Sequence, residues 1–375
     1  MSEANTKRNK KPQQFNCVFF ISTIVLFFTF FSYFIGQIFR INLFNTSFPL
    51  IDIAIILLFI TNLLYHLKNK TLKVKNKYFL YFLIFAWVFL FFNLFKYQIS
   101  SLKPIFYLIR LTCLLSFFIF PIKIGDKVKN IFYISIIANI IFGFIQYFFW
   151  PNFTYFNASN WDPHLYRLVS SFFDPTFTGL IYLFFIIKLF LDKKFPYRWP
   201  LLVFTYIAMV LTYSRSTYLT FLLAFTFIAI NLKKFKIFLI SLLLITATIF
   251  ILPRQAGEGT KLERTSSIKA KVENYQEGWQ TFTKSPLIGF GYNNLLFIRD
   301  IKTPDSHANS GFDGSIMTLL TTTGILGTII FLFGLKQLYS KSDLIKKTFL
   351  ISILFHSLFA NSLLYPWILL SLILF

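Results

Sequence analysis

The sequence predicts an all-α fold: a polytopic bundle of 11–12 transmembrane helices with one long extracytoplasmic loop that contains an amphipathic helix. Three observations predict it. Of the 375 residues, 56% are hydrophobic and only 14% are charged, whereas a soluble domain carries about 25% charged residues. The apolar residues fall into runs that suit a hydrocarbon core of about 30 Å, which takes about 20 residues of helix to cross. The lysines and arginines gather between alternate runs, as they do in the cytoplasmic loops of membrane proteins. With 54 phenylalanines the chain exceeds what one soluble core of this size hides. A soluble enzyme, a disordered chain and a disulfide-stapled secreted scaffold are excluded.

In order, the spans are read at 15–37, 48–66, 78–95, 103–121, 130–150, 174–191, 199–213, 217–232, 236–252 and 314–335. The last apolar stretch, 348–375, is long for one helix and short for two. Asn361 and Pro366 divide it into a helix, a bend and a short final helix. The first run exceeds the usual signal-peptide core of about 7–15 residues and lacks a small-x-small cleavage site, so it reads as a retained anchor. With the N-terminus inside, 23 of the 37 basic residues lie in cytoplasmic segments. The short outer segments hold Arg40, Lys96, Lys103, Arg167 and Arg215. The chain then divides into a membrane bundle over 1–252, an extracytoplasmic loop over 253–313 and C-terminal spans over 314–375. The net charge of +23 reflects this topology rather than nucleic-acid binding. Cys17 and Cys113 both lie in apolar stretches and form no disulfide framework.

The cytoplasmic loops are short, basic and poor in other chemistry. They contain no phosphate-binding glycine-rich loop and no dinucleotide fingerprint, which argues against ATP-driven transport. No His/Cys/Asp spacing resembles a zinc site. Any chemistry therefore faces outward. Within the long loop, residues 262–283 read as an amphipathic helix, because Ile268, Val272, Tyr275, Trp279 and Phe282 recur at helical steps. Arg264 and Lys271 sit seven apart on a neighbouring stripe. Such a helix lies on the bilayer surface or caps the bundle, and Pro286 ends it. The Ile288-Gly289-Phe290-Gly291-Tyr292-Asn293 segment that follows is either an ordinary turn or a nest of amides for an anion.

Several single residues have two readings. Arg215, in Tyr213-Ser214-Arg215-Ser216, suits a phosphate at headgroup level or snorkels at the interface. Arg167 precedes Asp174-Pro175 at the mouth of a span and is a substrate group or half of a local ion pair. Arg110 lies inside a span at a depth similar to Asp52; the two form a structural pair, or Arg110 serves the substrate. His307 is an exposed imidazole with no role, or a general base. His356, inside the last stretch, reads as a hydrogen-bonder within the bundle.

Four segments carry a resemblance: Arg167 to Pro175, the Tyr-Ser-Arg-Ser of 213–216, the loop helix leading to Lys-Ser-Pro-Leu-Ile-Gly-Phe-Gly (284–291), and Asp313-Gly-Ser-Ile-Met-Thr-Leu-Leu-Thr-Thr-Thr-Gly-Ile-Leu-Gly (313–327). In this order, from about 130 to 375, they resemble the O-antigen ligase and O-antigen polymerase superfamily. The resemblance implies a glycosyltransferase of the cytoplasmic (inner) membrane with its active site facing the exterior. It implies transfer of glycan from undecaprenyl diphosphate, without metal or cofactor, and a chain-length regulator protein as a further partner. By the same resemblance Arg215 and Arg167 bind diphosphate. The position of the family's loop arginine is Lys271 here, with Arg264 seven residues earlier. Ligases carry a histidine where this chain has Asp313, with His307 six residues away; many polymerases have Asp-Gly or Asp-Ser there. The resemblance therefore favours polymerase over ligase and leaves the base open between His307 and Asp313. Arg167 to Gly179 and Arg299 to Gly311 share a spacing of 12, similar to paired Arg-to-Gly motifs of some polymerases, which adds Arg299 to the candidates.

The expected function is polymerisation of lipid-linked repeat units. A ligase of the same superfamily is the alternative. A lipid-linked oligosaccharide flippase would show internal repeats and several midplane charges; no repeat is visible, and only Asp52 and Arg110 lie well inside. A purely structural scaffold does not account for the outward basic residues.

Overall fold

The computed structural model describes residues 17–43, 46–122, 124–152, 164–253, 255, 257–299 and 311–375. His307 lies outside the described residues. The helices are α1 (Cys17–Ile35), α2 (Leu50–Lys68), α3 (Lys77–Lys96), α4 (Lys103–Ile119), α5 (Asp126–Phe149), α6 (Pro175–Leu191), α7 (Arg198–Val210), α8 (Arg215–Leu232), α9 (Phe235–Ile251), α10 (Ser266–Lys284), α11 (Ser315–Ser340), α12 (Leu344–His356) and α13 (Pro366–Leu374). Between α1 and α2, strands β1 (Arg40–Leu43) and β2 (Thr46–Pro49) pair antiparallel, with Arg40 opposite Pro49.

Each apolar stretch of the sequence has become a helix. The final one divides as expected into α12, a break at 357–365 and α13. Among the described residues five helices, in α2, α3, α5, α8 and α11, are long and apolar enough to cross a membrane. Shorter apolar helices include α6, α7 and α9. Together they mark a polytopic membrane protein.

Burial follows composition. The run Leu180–Ile187 of α6 is buried on every side, the signature of a helix apolar around its whole circumference. It packs against α7, α8, α12 and α13. Pro175 opens α6, and the Asp174 carboxylate accepts from the amides of Thr176 (2.6 Å) and Phe177 (3.0 Å), capping its N-terminus. Ser214 caps α8 in the same way.

α11 is broken at Gly324, whose φ of +64° leaves the helical region. The break is filled by the loop after α10. The amides of Phe290 and Gly291 donate to the carbonyls of Thr321 (3.0 Å) and Thr322 (2.8 Å), and those of Ile325 and Leu326 donate to Pro286 (2.8 Å) and Leu287 (3.2 Å). A Cβ on Gly324 would stand 2.2 Å from the Leu287 carbonyl oxygen, and one on Gly289 would stand 2.4 Å from the Thr322 carbonyl carbon. Both glycines are required by this close approach.

Candidate functional site

One cleft gathers the basic candidates. It is bounded by the start of α6 (Thr176), the start of α8 (Ser214–Leu219), Arg264 in the turn before α10, α10 itself from Ser267 to Gln280, and the turn after α12 at Leu358 and Phe359. Its volume is ≈ 1330 Å³, large enough for a lipid headgroup with attached sugars. Arg167, Arg215, Arg264 and Lys271 all line it, and among the described residues no carboxylate does.

Arg215 is the first residue of α8. Its guanidinium donates to the carbonyls of Leu262 (3.1 Å) and Arg264 (2.8 Å) and to Ser267 Oγ (2.5 Å). These partners are neutral oxygens, so the positive charge is held in place without being cancelled. Arg167 is buried and donates through Nε to the Thr212 carbonyl (2.9 Å) and through Nη2 to that of Tyr213 (3.4 Å). It thereby joins the turn before α6 to the turn before α8. Arg264 donates to the carbonyls of Gly259 (2.6 Å) and Lys261 (2.9 Å), closing the turn that leads into α10.

Lys271 reaches across to Asp313, with Nζ 3.1 Å from the carboxylate, and also donates to the Phe359 carbonyl (2.6 Å). Asp313 is further fixed because its amide donates to Asn274 Oδ1 (2.8 Å). Tyr275 donates to the Leu358 carbonyl (2.6 Å). Burial, then the nearby Asp313 carboxylate, raises the Tyr275 phenol above its ordinary value, so it remains a neutral donor.

Beside these polar groups the cleft also carries apolar side chains. Ile268, Val272, Trp279 and Leu219 line it and are each about half exposed. The α10 face expected to lie on the bilayer surface or cap the bundle buries only Phe282 of its apolar stripe, with Gly278 and Thr281 beside it; the rest of the stripe lines the cleft.

Two candidates lie elsewhere. Arg110 pairs with Asp52 at 3.2 Å in the bundle and stacks on the Tyr107 ring at 4.4 Å; it is absent from the cleft lining. Arg299 makes a two-pronged contact with Glu277, both bonds 2.7 Å, and donates to the Gly311 carbonyl (3.1 Å). It ties the loop to α10. The glycine nest takes the turn reading, since the amides of Gly289, Phe290 and Gly291 are all consumed by protein carbonyls.

Sequence reasoning passed over the floor of the cleft. There the Ser216 hydroxyl meets His356 Nε2 at 3.3 Å, and His356 Nδ1 meets Ser362 Oγ at 2.6 Å. His356 is indeed a hydrogen-bonder within the bundle, and one of its two partners, Ser216, is a residue of the cleft.

Residues 200–332 match the family model described as O-antigen ligase. That match supports a relationship to the O-antigen ligase and polymerase superfamily over this segment. The matched O-antigen ligase region includes Arg215, Arg264, Lys271 and Asp313, together with the loop docked into the α11 break; Arg167 and Phe359 fall outside it. No curated protein matches the chain. The superfamily supports a ligase- or polymerase-type function on glycans.

Proposed function

We propose that this protein polymerises oligosaccharide repeat units carried on undecaprenyl diphosphate, at the outer face of the cytoplasmic membrane. The observation that carries the proposal is the convergence of Arg167, Arg215, Arg264 and Lys271, from three separate segments, on one cleft that also carries apolar side chains. A polyprenyl diphosphate has the complementary halves. Its phosphates suit the cations, and its isoprenoid chain suits Ile268, Val272 and Trp279.

In the transfer, the bond between the donor sugar's anomeric carbon and the diphosphate breaks while a bond from the acceptor hydroxyl forms. Negative charge develops on the departing diphosphate, and the arginines stabilise it there. The proton of the acceptor hydroxyl passes to a base, Asp313 or His307. Lys271 and Asn274 hold the Asp313 segment beside the cations. The lysine-rich segments between spans support an outward-facing cleft, since they gather at the opposite ends of the helices.

Asp313 in place of the ligase histidine supports polymerase; the description of the matched family supports ligase. Deleting the gene and resolving the surface glycan by size decides between them. A polymerase defect leaves single repeat units on the acceptor. A ligase defect leaves the acceptor bare while polymer accumulates on lipid. Accumulation of lipid-linked units facing the cytoplasm would identify a flippase and overturn the proposal.

A further inference from the structure

The buried hydroxyls below Arg215 form a hydrogen-bond chain whose direction can be deduced. Ser362 is fully buried, and its hydroxyl has His356 Nδ1, at 2.6 Å, as its side-chain partner. A buried O–H left without an acceptor is costly, so Ser362 donates to Nδ1. The neutral ring then carries its hydrogen on Nε2 and donates to Ser216 Oγ at 3.3 Å.

The other arm runs the same way. The Thr217 hydroxyl has one hydrogen and two acceptors in reach, Ser214 Oγ at 2.9 Å and the Thr176 carbonyl at 3.4 Å; it goes to the nearer, so Ser214 Oγ accepts from the Thr217 hydroxyl and from the Thr217 amide (3.4 Å). Its two lone pairs are thereby used, so its own hydrogen goes to Ser216 Oγ, 3.1 Å away. Ser216 Oγ thus receives two hydrogens, one from His356 and one from Ser214. A hydroxyl has two acceptor sites. Both are occupied, and the Ser216 hydrogen has only the cleft to serve.

We propose that Ser216 is a donor-only contact, aimed beside Arg215 at an oxyanion of the ligand, and that His356 and Ser362 are the positioning residues that fix its polarity. The inference rests on the diphosphate reading of the cleft and adds a selective element to it. Arginine charge attracts any anion, whereas a serine barred from accepting rejects ligands that present an N–H or O–H at that point. The favoured group is a fully deprotonated phosphoryl oxygen.

The test is farnesyl diphosphate binding to the purified full-length protein in nanodiscs, measured by calorimetry. Wild type binds, and Arg215→Ala does not. Ser216→Ala binds about tenfold more weakly, the usual loss for a hydrogen bond to a charged group, and Ser216→Thr restores affinity. Ser362→Ala weakens the wild type but has no further effect in the Ser216→Ala background, because its influence passes through Ser216. If Ser216→Ala unfolds, Ser216→Cys keeps the volume with a poor donor and shows the same loss. Wild-type affinity in Ser216→Ala, with binding still lost in Arg215→Ala, overturns this inference alone. Additive losses in the double variant overturn the role of His356 and Ser362. No binding by the wild type overturns this inference and the diphosphate reading together.

Discussion

The Gly291 amide donates to the Thr322 carbonyl at 2.8 Å, across the break in α11. This bond and its neighbours insert the Pro286–Gly291 loop into the helix and fix the end of α10 against the start of α11. The cleft depends on that fixation, because Lys271 on α10 must reach Asp313 just before α11.

Gly289→Ala should therefore damage the fold before it damages chemistry. The residue has φ +67°, and a Cβ there collides with the Thr322 backbone. The left-handed conformation alone costs about 1–2 kcal/mol for a residue with a side chain. The midpoint of thermal unfolding should fall clearly, and Gly324→Ala should do the same through Leu287.

Arg215→Ala should lower glycan transfer by on the order of 100-fold, the usual loss when one group that stabilises developing charge is removed. Unfolding midpoints should stay close to wild type. Arg215→Lys should retain part of the activity, since it keeps charge but cannot reach all three oxygens that now hold the guanidinium. Transfer assays on purified protein with a lipid-linked donor check both.

Asp313→Ala and His307→Ala should separate the two candidate bases. The variant that removes the base should lose on the order of 100-fold or more in transfer while still binding donor. The other should stay near wild type. Comparable small losses in both would leave neither as the base.

Arg110→Ala should reduce activity only through instability. It strands the Asp52 carboxylate, 6% exposed, and removing one partner of a buried ion pair costs about 3–5 kcal/mol. The double variant Asp52→Leu/Arg110→Met should recover most of the folded yield, measured by size-exclusion profile and melting.

Much of this architecture was legible in the sequence because lipid imposes it. Every spanning segment must satisfy its own backbone and be apolar, so runs such as 174–191 announce their helices directly. The amphipathic period of 262–283 likewise gave α10. The basic members of the cleft stood out one by one as charges in outer turns such as Tyr213–Ser216, each with a bland reading beside the functional one. What joins them was not legible. His356 and Ser216 are 140 residues apart, and no periodicity links them. The glycines at 289 and 291 left a turn and an anion nest both open, because a close backbone approach gives the same pattern whether the visitor is a phosphate or another stretch of chain. Arg299 looked like a substrate group, yet its partner Glu277 lies one helix away, a distance that local sequence does not encode.

The most direct test of an outward cleft gripping a diphosphate is labelling of Gln276→Cys, on the exposed face of α10 within the cleft, in a background lacking Cys17 and Cys113. A membrane-impermeant maleimide applied to intact spheroplasts should modify it, and added undecaprenyl diphosphate should slow the reaction. Modification only after the membrane is permeabilised, or a rate indifferent to the diphosphate, would contradict the account.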